Sequence, residues 1–484
     1  MAAKLVLALA MGATALLAPT NKLPVNTVRR AASTAPEMVV KVGVIGAGRI
    51  GLVHLEALRV AVSFLSLDAV GGSRADGVMV LPAATPSSRY ISCCAVEPIY
   101  VESERINAGH VATHRSQTQD AECVIISNPT VSKAEAAAKQ YFVPEWSADS
   151  DDVINHPDVQ AVWICSPSSF HAEQITKCAA AGKDVFCEKP IATDLPETIE
   201  AIRICDKAGI KLMTALQRRF DPNFARVKRS IVSGEVGDVI TVKLCSRDPA
   251  PPPFEYVKGG GGIFKDMAVH DLDMSRYLVG SEPVEILASG SCHIDKRILE
   301  LDGPEAYDTA NIMVRYANGK EAIIDVCRQA PYGYDQRAEV LGTKAMIQTD
   351  NMYPNTARLY AADFTGNADL PYDFFMSRYK EAYKQETLAF VDALVNDKPS
   401  PCSGEDGLVA LIMAITAGKS AAEQRWVKCS EVAASVQCDE NGCMIVDLDD
   451  MAIAAAEKDS LNWIGKNVNR VLGKKGGLKN IFSR

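Results

Sequence analysis

Three short motifs, far apart in the chain, carry residues whose types and spacing could do chemistry together. The first, Gly46-Ala47-Gly48-Arg49-Ile50-Gly51, follows an apolar run. The second is Glu188-Lys189-Pro190, and the third places Asp266 four residues before His270. A glycine-rich turn after a strand is typical of a dinucleotide site, whereas lysine, aspartate and histidine can handle protons. A hydride-carrying cofactor beside proton-handling groups predicts interconversion of an alcohol and a ketone.

The glycine-rich stretch has the residues that a nucleotide-binding turn needs. Gly46 permits a tight strand-to-helix turn, Gly48 lets the backbone approach a pyrophosphate, and Gly51 lets helix and strand pack closely. Arg49 and Ile50 open the following helix, whose N-terminus favours the phosphate charge. The sequence therefore predicts a dinucleotide site at this turn.

The choice of cofactor depends on the residue that ends the second strand, where a carboxylate favours NAD over NADP. This position holds Asn128, preceded by Ser127. An amide and a hydroxyl can bind a ribose but cannot repel a 2′-phosphate, and Lys133 could approach one. The residues by themselves therefore leave NAD and NADP open.

The proton-handling residues fall in predicted elements that suit them. Asp266 and His270 lie one turn apart on one helix face, behind the glycine run 259–262. Asp266 can stabilise a charged donor, and His270 can exchange a proton near neutral pH. Lys189 stands at the carboxyl end of a predicted strand, where doubly wound sheets bind ligands. The Lys189–Pro190 bond is a candidate cis peptide bond.

Apolar runs predict the elements that position these motifs. Strands and helices alternate over residues 39–215, which is typical of a parallel, doubly wound sheet. Strands with short turns dominate after residue 219, and helices follow at 374–394 and 404–423. We therefore predict an α/β fold: an N-terminal Rossmann domain with a doubly wound parallel sheet (residues 38–220), and a C-terminal α+β domain with a mainly antiparallel open sheet (residues 221–427).

One segment interrupts this rhythm. The second strand, at residues 123–128, comes about 60 residues later than a short connection would place it. Residues 59–120 mix Ser, Gly, Ala and Pro without sustained periodicity. They are either a lineage-specific surface insertion or a translated intron or similar gene-prediction error, since the flanking pieces join naturally without them. On both interpretations we expect no catalytic role.

Composition excludes some classes of protein. The chain has 484 residues, 48% of them apolar, and a net charge of −9, which argues against a nucleic-acid partner. Its 14 cysteines fall mostly in apolar runs and lack the paired spacing of a zinc site. We interpret them as buried thiols in a reducing compartment.

The two termini lie outside this pattern. Residues 1–36 contain no Asp or Glu, and their apolar run at 5–18 is too short to span a bilayer comfortably. We therefore predict no integral membrane span, and interpret residues 1–37 as a targeting segment for an organelle interior, plastid or mitochondrion. The alternatives are a disordered tail or a misplaced start codon, in either case on a cytoplasmic protein. Residues 428–484 are predicted to be a C-terminal extension, either a solvated tail or a helix for a membrane surface or partner.

Further motifs resemble those of one enzyme family. The chain carries Ser246-Arg247-Asp248-Pro249, then Gly260-Gly261-Gly262-Ile263-Phe264, then Asp266-Met267-Ala268-Val269-His270-Asp271. Together with Tyr332-Gly333-Tyr334-Asp335-Gln336-Arg337, and in this order, they resemble the Gfo/Idh/MocA family of oxidoreductases, and within it the inositol 2-dehydrogenases. The resemblance covers roughly residues 39–427, apart from the long interruption.

The resemblance implies NAD as the cofactor, with NADP as the alternative, and proton abstraction by Lys189, Asp266 and His270. We expect His270 to be the acid/base, Lys189 to polarise and orient the reacting group, and Asp266 to pair with Lys189. Which of His270 and Lys189 takes the proton first stays open, and no metal is expected. The predicted cofactor-binding residues are Gly46, Gly48, Arg49, Ile50, Gly51, Asn128, Ser166, Pro167, Ser168, Glu188, Lys189 and Gln217. The predicted substrate-binding residues are Lys189, Arg219, Asp248, Asp266, His270 and Tyr334.

These roles together predict hydride transfer between a cyclitol or sugar hydroxyl carbon and NAD(P), with myo-inositol 2-dehydrogenase as the first hypothesis. Ser246 and Asp248 stand where some relatives carry histidine and asparagine, which leaves the polyol isomer open. The alternatives are an NADP-dependent dehydrogenase of another polyol, and a catalytically silent nucleotide-sensing protein of the same fold. Expected partners are a small-molecule polyol and further copies of the chain, as a homotetramer or homodimer, because the open sheet face needs covering and the family assembles through it.

Overall fold

The computed structural model describes residues 39–60, 121–301, 303 and 306–433, and two short strands at 436–438 and 444–446. The predicted targeting segment, almost all of the predicted insertion and most of the predicted C-terminal extension lie outside these residues. The described residues belong to one compact unit. Among the described residues, no helix is long and apolar enough to cross a membrane.

The first part of the described chain alternates strands with helices. In chain order the elements are β1 (Val40–Ile45), α1 (Arg49–Val60), β2 (Ala121–Ser127), α2 (Val131–Tyr141), β3 (Glu145–Ser147), α3 (Ser150–Ile154), β4 (Ala161–Ile164), α4 (His171–Ala180), β5 (Asp184–Glu188), α5 (Leu195–Ala208) and β6 (Leu212–Ala215). The strands form one parallel sheet in the order β3-β2-β1-β4-β5-β6. This is the strand order of one Rossmann fold type, so the predicted doubly wound sheet is confirmed.

Local sequence explains why these elements form. Strand β4 reads Ala-Val-Trp-Ile and is buried along its whole length, as expected for a parallel strand covered by helices on both faces. Helix α5 begins after Asp194, whose carboxylate accepts from the backbone N–H of Glu197, and it ends at Gly209 with a φ of 68°. The carboxyl ends of β1, β4 and β5 consequently meet at one edge, where the predicted motifs lie.

The second part contains a larger sheet and the C-terminal helices. In chain order its elements are α6 (Pro222–Val232), β7 (Val239–Arg247), α7 (Phe254–Gly259), α8 (Val269–Val279), β8 (Pro283–Ser291), β9 (Thr309–Tyr316), β10 (Glu321–Cys327), β11 (Asp335–Gly342), β12 (Met346–Gln348), β13 (Arg358–Leu359), β14 (Asn367–Ala368), α9 (Phe375–Arg378), α10 (Lys380–Val395), α11 (Gly404–Glu423), β15 (Val427–Lys428), β16 (Val436–Cys438) and β17 (Met444–Val446). Seven strands pair in the order β12-β11-β7-β10-β9-β8-β15. Only β7 and β10 pair in parallel within this sheet, which confirms the mainly antiparallel prediction.

The two faces of the second sheet differ. Along β10, Ala322, Ile324 and Val326 are fully buried, whereas Ile323 between them is 42% exposed. Helices α8 and α11 contact strands of this sheet, and the alternation of buried and exposed residues shows that only one face is covered. The sheet is therefore open on its other face, as predicted.

The C-terminal helices return to the first sheet. Helix α10 packs on α1 and contacts β1, and α11 contacts α5 and β6 as well as α8 and β8. Along the chain, the strands of the first sheet come before residue 220 and those of the second sheet come after it. Helices α10 and α11 nevertheless contact elements of the first sheet. The domain boundaries stay a prediction, and the carboxyl edge of the first sheet is joined to residues from both halves.

Candidate active site

The glycine-rich turn joins β1 to α1 at the carboxyl edge of the first sheet. Gly46 has a φ of 103°, and a Cβ atom there would stand 2.7 Å from the backbone oxygen of Cys165. A Cβ atom on Gly51 would stand 1.9 Å from the backbone oxygen of Gly46. A Cβ atom on Gly48 would have no described atom within 4 Å. Gly46 and Gly51 are therefore packed against the protein, whereas the space in front of Gly48 is free. Because Gly48 lies next to the start of α1, this space fits a pyrophosphate at a helix N-terminus.

Asn128 follows β2 and is already engaged in a local turn. Its side-chain oxygen accepts from the backbone N–H of Thr130 at 2.9 Å, and its own N–H donates to Ser147 at 3.1 Å. The side-chain amide nitrogen stays available, but no carboxylate stands at this position to repel a 2′-phosphate. The geometry thus leaves Asn128 as a potential ribose ligand that does not discriminate by charge.

The loops that follow β4, β5 and β6 hold the other predicted cofactor contacts. The hydroxyl of Ser166 donates to Gln174 on α4 at 2.6 Å, and Pro167 and Ser168 follow it. The Lys189–Pro190 peptide bond is cis, as the sequence suggested. Gln217 lies in a short 3-10 turn after β6, and its amide donates to the hydroxyl of Tyr383 at 3.2 Å. These residues share the carboxyl edge of the sheet with the glycine turn.

Lys189 meets Asp266 across the two halves of the molecule. The Lys189 Nζ donates to the backbone oxygen of Asp266 at 2.8 Å and lies 3.5 Å from its Oδ1. Asp266 belongs to a π-helical turn, Phe264–Ala268, that runs directly into α8, and His270 is the second residue of α8. Single π-helical turns occur frequently at functional sites. The structure therefore brings the three predicted catalytic residues to one place.

Two further residues hold Asp266, and sequence reasoning missed both. The guanidinium of Arg328 is buried and donates to Asp266 Oδ2 from two nitrogens, each at 3.2 Å. The hydroxyl of Tyr256 donates to Asp266 Oδ1 at 3.0 Å. Burial by itself would raise the pKa of Asp266, but Lys189 and then Arg328 outweigh it and lower that pKa. Asp266 therefore stays a carboxylate, and we call Lys189, Asp266, His270 and Arg328 the catalytic cluster.

His270 is uncharged in this environment. Burial, followed by the positive charges of Lys189 and Arg218, holds the pKa of His270 well below its usual value. Its Nδ1 is buried and has no hydrogen-bond partner among the described residues. A neutral imidazole beside a lysine can accept a proton from a bound hydroxyl.

Asp248 and Tyr334 lie near the catalytic cluster. Burial raises the pKa of Asp248 to about 6, with Arg328 opposing that rise and Asp266 adding to it. Tyr334 is buried against Phe374 and Tyr379, and burial raises its pKa well above the usual range. A carboxyl group and a phenol at this position can exchange hydrogen bonds with the hydroxyls of a polyol.

Arg219 is placed differently from the other predicted substrate ligands. Its guanidinium donates to both oxygens of Asp273, at 2.5 and 2.9 Å, and to Asp406 at 3.0 Å. Arg276 continues this network through Asp406 at 2.5 Å and Glu282 at 2.7 Å. A substrate contact by Arg219 stays a prediction, whereas the contacts observed are structural. We call Arg219, Asp273, Arg276, Glu282 and Asp406 the ion-pair belt.

Comparisons with known proteins agree with this geometry. Residues 103–216 match a model of an oxidoreductase family with an NAD-binding Rossmann fold, and residues 224–348 match the GFO/IDH/MocA C-terminal domain. The inositol 2-dehydrogenase of Rhizobium meliloti (strain 1021) is 39% identical over 312 residues, which cover 64% of this chain and 93% of that protein. The myo-inositol 2-dehydrogenase of Thermotoga maritima is 37% identical over 332 residues, which cover 68% and 98%. The chain belongs to the Gfo/Idh/MocA family of oxidoreductases.

Solved structures of other Gfo/Idh/MocA proteins share its fold. The myo-inositol dehydrogenase of Corynebacterium glutamicum superposes with a TM-score of 0.66 at 30% identity, and covers 81% of this chain and 99% of its own. The scyllo-inositol dehydrogenase of Lactobacillus casei, solved with NAD(H) and scyllo-inositol, gives a TM-score of 0.63 at 24% identity, with 81% and 99% covered. At 24% identity, the second match supports the shared fold alone.

As a Gfo/Idh/MocA oxidoreductase, the chain has an NAD-binding Rossmann domain. NAD fits the residues present, because the turn is open at Gly48 and α1 starts beside it. The turn would hold the pyrophosphate, Asn128 the ribose, and the loops after β4 and β5 the nicotinamide half. Lys189 and His270 would then stand beside the reacting end of the cofactor.

A buried cluster of three residues lies next to Lys189. His54 Nε2 is 2.8 Å from Glu188 Oε1 and 4.0 Å from Glu386 Oε1. Glu386 is fully buried, and neither of its carboxyl oxygens has a hydrogen-bond partner among the described residues. Burial, with a contribution from the charge of Glu188, raises the pKa of Glu386 well above its usual value. The three side chains are close enough to hold a metal ion, but a proton on Glu386 balances the charge equally well.

Proposed function

We propose that this protein is an NAD-dependent inositol 2-dehydrogenase, which oxidises a ring hydroxyl of myo-inositol to the ketone. The observation that carries the proposal is the arrangement of Lys189, Asp266 and His270 at the carboxyl edge of the NAD-binding sheet. The names of the relatives at 37% and 39% identity support the substrate class.

The chemistry assigned to each side chain follows from its charge. The nicotinamide supplies a hydride acceptor when NAD is bound. His270 is neutral and takes the proton of the reacting hydroxyl on an imidazole nitrogen. Lys189, held by Asp266, donates a hydrogen bond to the same hydroxyl oxygen and stabilises the negative charge that develops as the proton leaves. Arg328 keeps Asp266 ionised and fixed, so Lys189 keeps its position.

The other hydroxyls of the ring are assigned to Asp248 and Tyr334, which border the catalytic cluster. An NADP-dependent dehydrogenase of another sugar or polyol is the second candidate, because Asn128 does not repel a 2′-phosphate. A silent nucleotide-sensing protein is disfavoured, since both Lys189 and His270 are present and close to Asp266.

The open sheet face supports self-association as a homotetramer or homodimer. Ile323 and Leu341 point outward from adjacent parts of this face and are 42% and 41% exposed. Arg315 and Lys243 on the same face pair with Glu321 and Glu339, so the surface mixes apolar and charged groups as interfaces do. Light scattering of the purified protein, beside Ile323→Glu, tests this assembly.

An organelle location rests on residues 1–37, which contain no acidic residue among the first 36 and carry several basic ones. A fluorescent fusion to these residues tests it. Uniform cytoplasmic fluorescence would remove the targeting proposal and leave the enzymatic one unchanged.

The test of the function is an NADH-absorbance assay of the purified chain with myo-inositol, scyllo-inositol and glucose, each with NAD and with NADP. We expect reduction of NAD that depends on myo-inositol and is lost in Lys189→Ala. Preference for NADP would select the second candidate. Nucleotide binding without turnover of any polyol would overturn both dehydrogenase assignments.

A further inference from the structure

His171 makes two contacts that a neutral histidine cannot make together. It is the first residue of α4 and is 1% exposed. Its Nδ1 lies 2.7 Å from the backbone oxygen of Pro190, and its Nε2 lies 2.8 Å from the backbone oxygen of Ser166. Both partners are carbonyl oxygens, which only accept hydrogen bonds.

The number of protons on the ring follows from these partners. A neutral imidazole has one N–H and one nitrogen lone pair, so one of the two contacts would set a lone pair against a carbonyl oxygen. At hydrogen-bond distance, and away from water, that contact is repulsive. Both contacts become favourable only when both ring nitrogens donate.

The two carbonyl groups belong to the two loops that build the catalytic edge. Ser166 follows β4 and begins the loop assigned to the cofactor, and Pro190 directly follows Lys189. Because imidazole is a rigid ring, two simultaneous donations fix the distance between these loops. On the other side of Lys189, Glu188 is held by His54 at 2.8 Å. Lys189 is therefore flanked by two histidine contacts.

We propose that His171 is a positioning residue that carries a proton on both ring nitrogens and so holds the Lys189 turn against the cofactor loop. This inference rests on the proposed dehydrogenase function for its kinetic consequence only. The protonation state itself is a property of the folded chain and can be measured without turnover.

The decisive measurement is the ¹⁵N spectrum of the histidine rings in the full-length protein by solid-state NMR. Phe170-His171 is the only Phe-His pair in the sequence, so labelling Phe and His together assigns the His171 signals in the wild-type protein. The assignment therefore needs no folded His171 variant. We expect both ring nitrogens of His171 to resonate as protonated nitrogens. His54 is the internal reference, because its Nε2 donates to the Glu188 carboxylate and that nitrogen should resonate as protonated. A bare nitrogen on His171 would overturn the proposal.

The kinetic test uses His171→Gln, whose side chain can donate from one end only. We expect kcat to fall about 10- to 100-fold, because a small displacement of the Lys189 ammonium from the reacting hydroxyl lowers the rate. The KM of the polyol and the affinity for NAD should change little. His156→Gln, in a loop after α3 and away from Lys189, is the matched control and should keep its activity. Wild-type kcat in His171→Gln would contradict the positioning role. An inactive wild-type chain would instead count against the proposed function, and the NMR result would still decide the protonation of His171.

Discussion

The catalytic cluster and the ion-pair belt are both buried and both charged, but they differ in how completely their polar atoms are paired. In the belt, every guanidinium nitrogen of Arg219 and Arg276 donates a hydrogen bond, and each of the six carboxylate oxygens of Asp273, Asp406 and Glu282 accepts at least one. In the catalytic cluster, His270 Nδ1 and Arg328 Nε have no partner among the described residues.

The difference separates a scaffold from a site. Ions whose nitrogens and oxygens are all engaged with one another offer little to a ligand, and breaking one pair weakens the compensation of a buried charge. Incompletely paired groups cost stability in the free protein, and a substrate can complete them. Substitutions in the belt should therefore change stability, and those in the catalytic cluster should change turnover.

The largest effect is expected from His270→Ala. Removing the base should lower turnover by about 10²- to 10⁴-fold, while the thermal midpoint changes little because the ring nitrogen was unpaired. NADH absorbance and thermal unfolding of the same sample measure both quantities. If His270→Ala unfolds readily but turns over normally when folded, His270 contributes to stability and is not the catalytic base.

A large effect on stability rather than turnover is expected from Asp273→Asn, which removes the carboxylate that accepts two hydrogen bonds from the buried Arg219 and leaves Asp406 as its one remaining charged partner in the ion-pair belt. The free energy of unfolding should fall by about 3–5 kcal/mol, whereas turnover per folded molecule stays near that of the wild type. Urea unfolding measures the loss. The control is Asp158→Asn, which breaks an exposed pair with Lys41 and should cost about 1 kcal/mol or less.

An intermediate effect is expected from Arg328→Lys, which keeps the charge but loses the two-pronged contact with Asp266. Turnover should fall about 10- to 100-fold as Lys189 and Asp266 lose their alignment. Arg337→Lys, on the exposed face of the second sheet, is the comparison and should be silent in the same assay. Equal activity of the two variants would remove Arg328 from the catalytic cluster.

The smallest effect is expected from Glu386→Gln, and it depends on pH. The pKa of Glu386 is raised in the folded state, so its contribution to stability is complete below the ordinary glutamate pKa and is lost as the pH rises towards the folded value. Glutamine has no such loss. The variant should therefore gain stability relative to the wild type as the pH rises above the ordinary glutamate pKa of about 4.3, with turnover unchanged. Glu381→Gln, exposed on the same helix, should show no such trend.

Local patterns were sufficient to predict much of this structure. The Rossmann sheet follows from short apolar strands alternating with helices, and Lys189 with Asp266 followed from motif order and family resemblance. Arg328 was missed because it meets Asp266 only when the end of β10 is brought beside the π-helical turn, and no spacing along the chain records that approach. The same holds for Glu386, which reaches His54 because α10 returns to α1. The ion pairs of Arg219 were also missed for a related reason, since its carboxylate partners come from α8 and α11.

The junction between α1 and β2 has a consequence for the entropy of the chain. Helix α1 ends at Val60 and β2 begins at Ala121, yet β2 still pairs in parallel with β1. For a flexible connection in general, each doubling of length raises the entropic cost of closure by only about 0.6 kcal/mol, so a connection of about sixty residues would cost about 2 kcal/mol more than one of about five. Strand β2 pairs with β1 on one side and with β3 on the other, and this pairing can offset that cost. The same junction is therefore where a reporter domain or a binding peptide could be spliced into the chain while the catalytic edge stays intact.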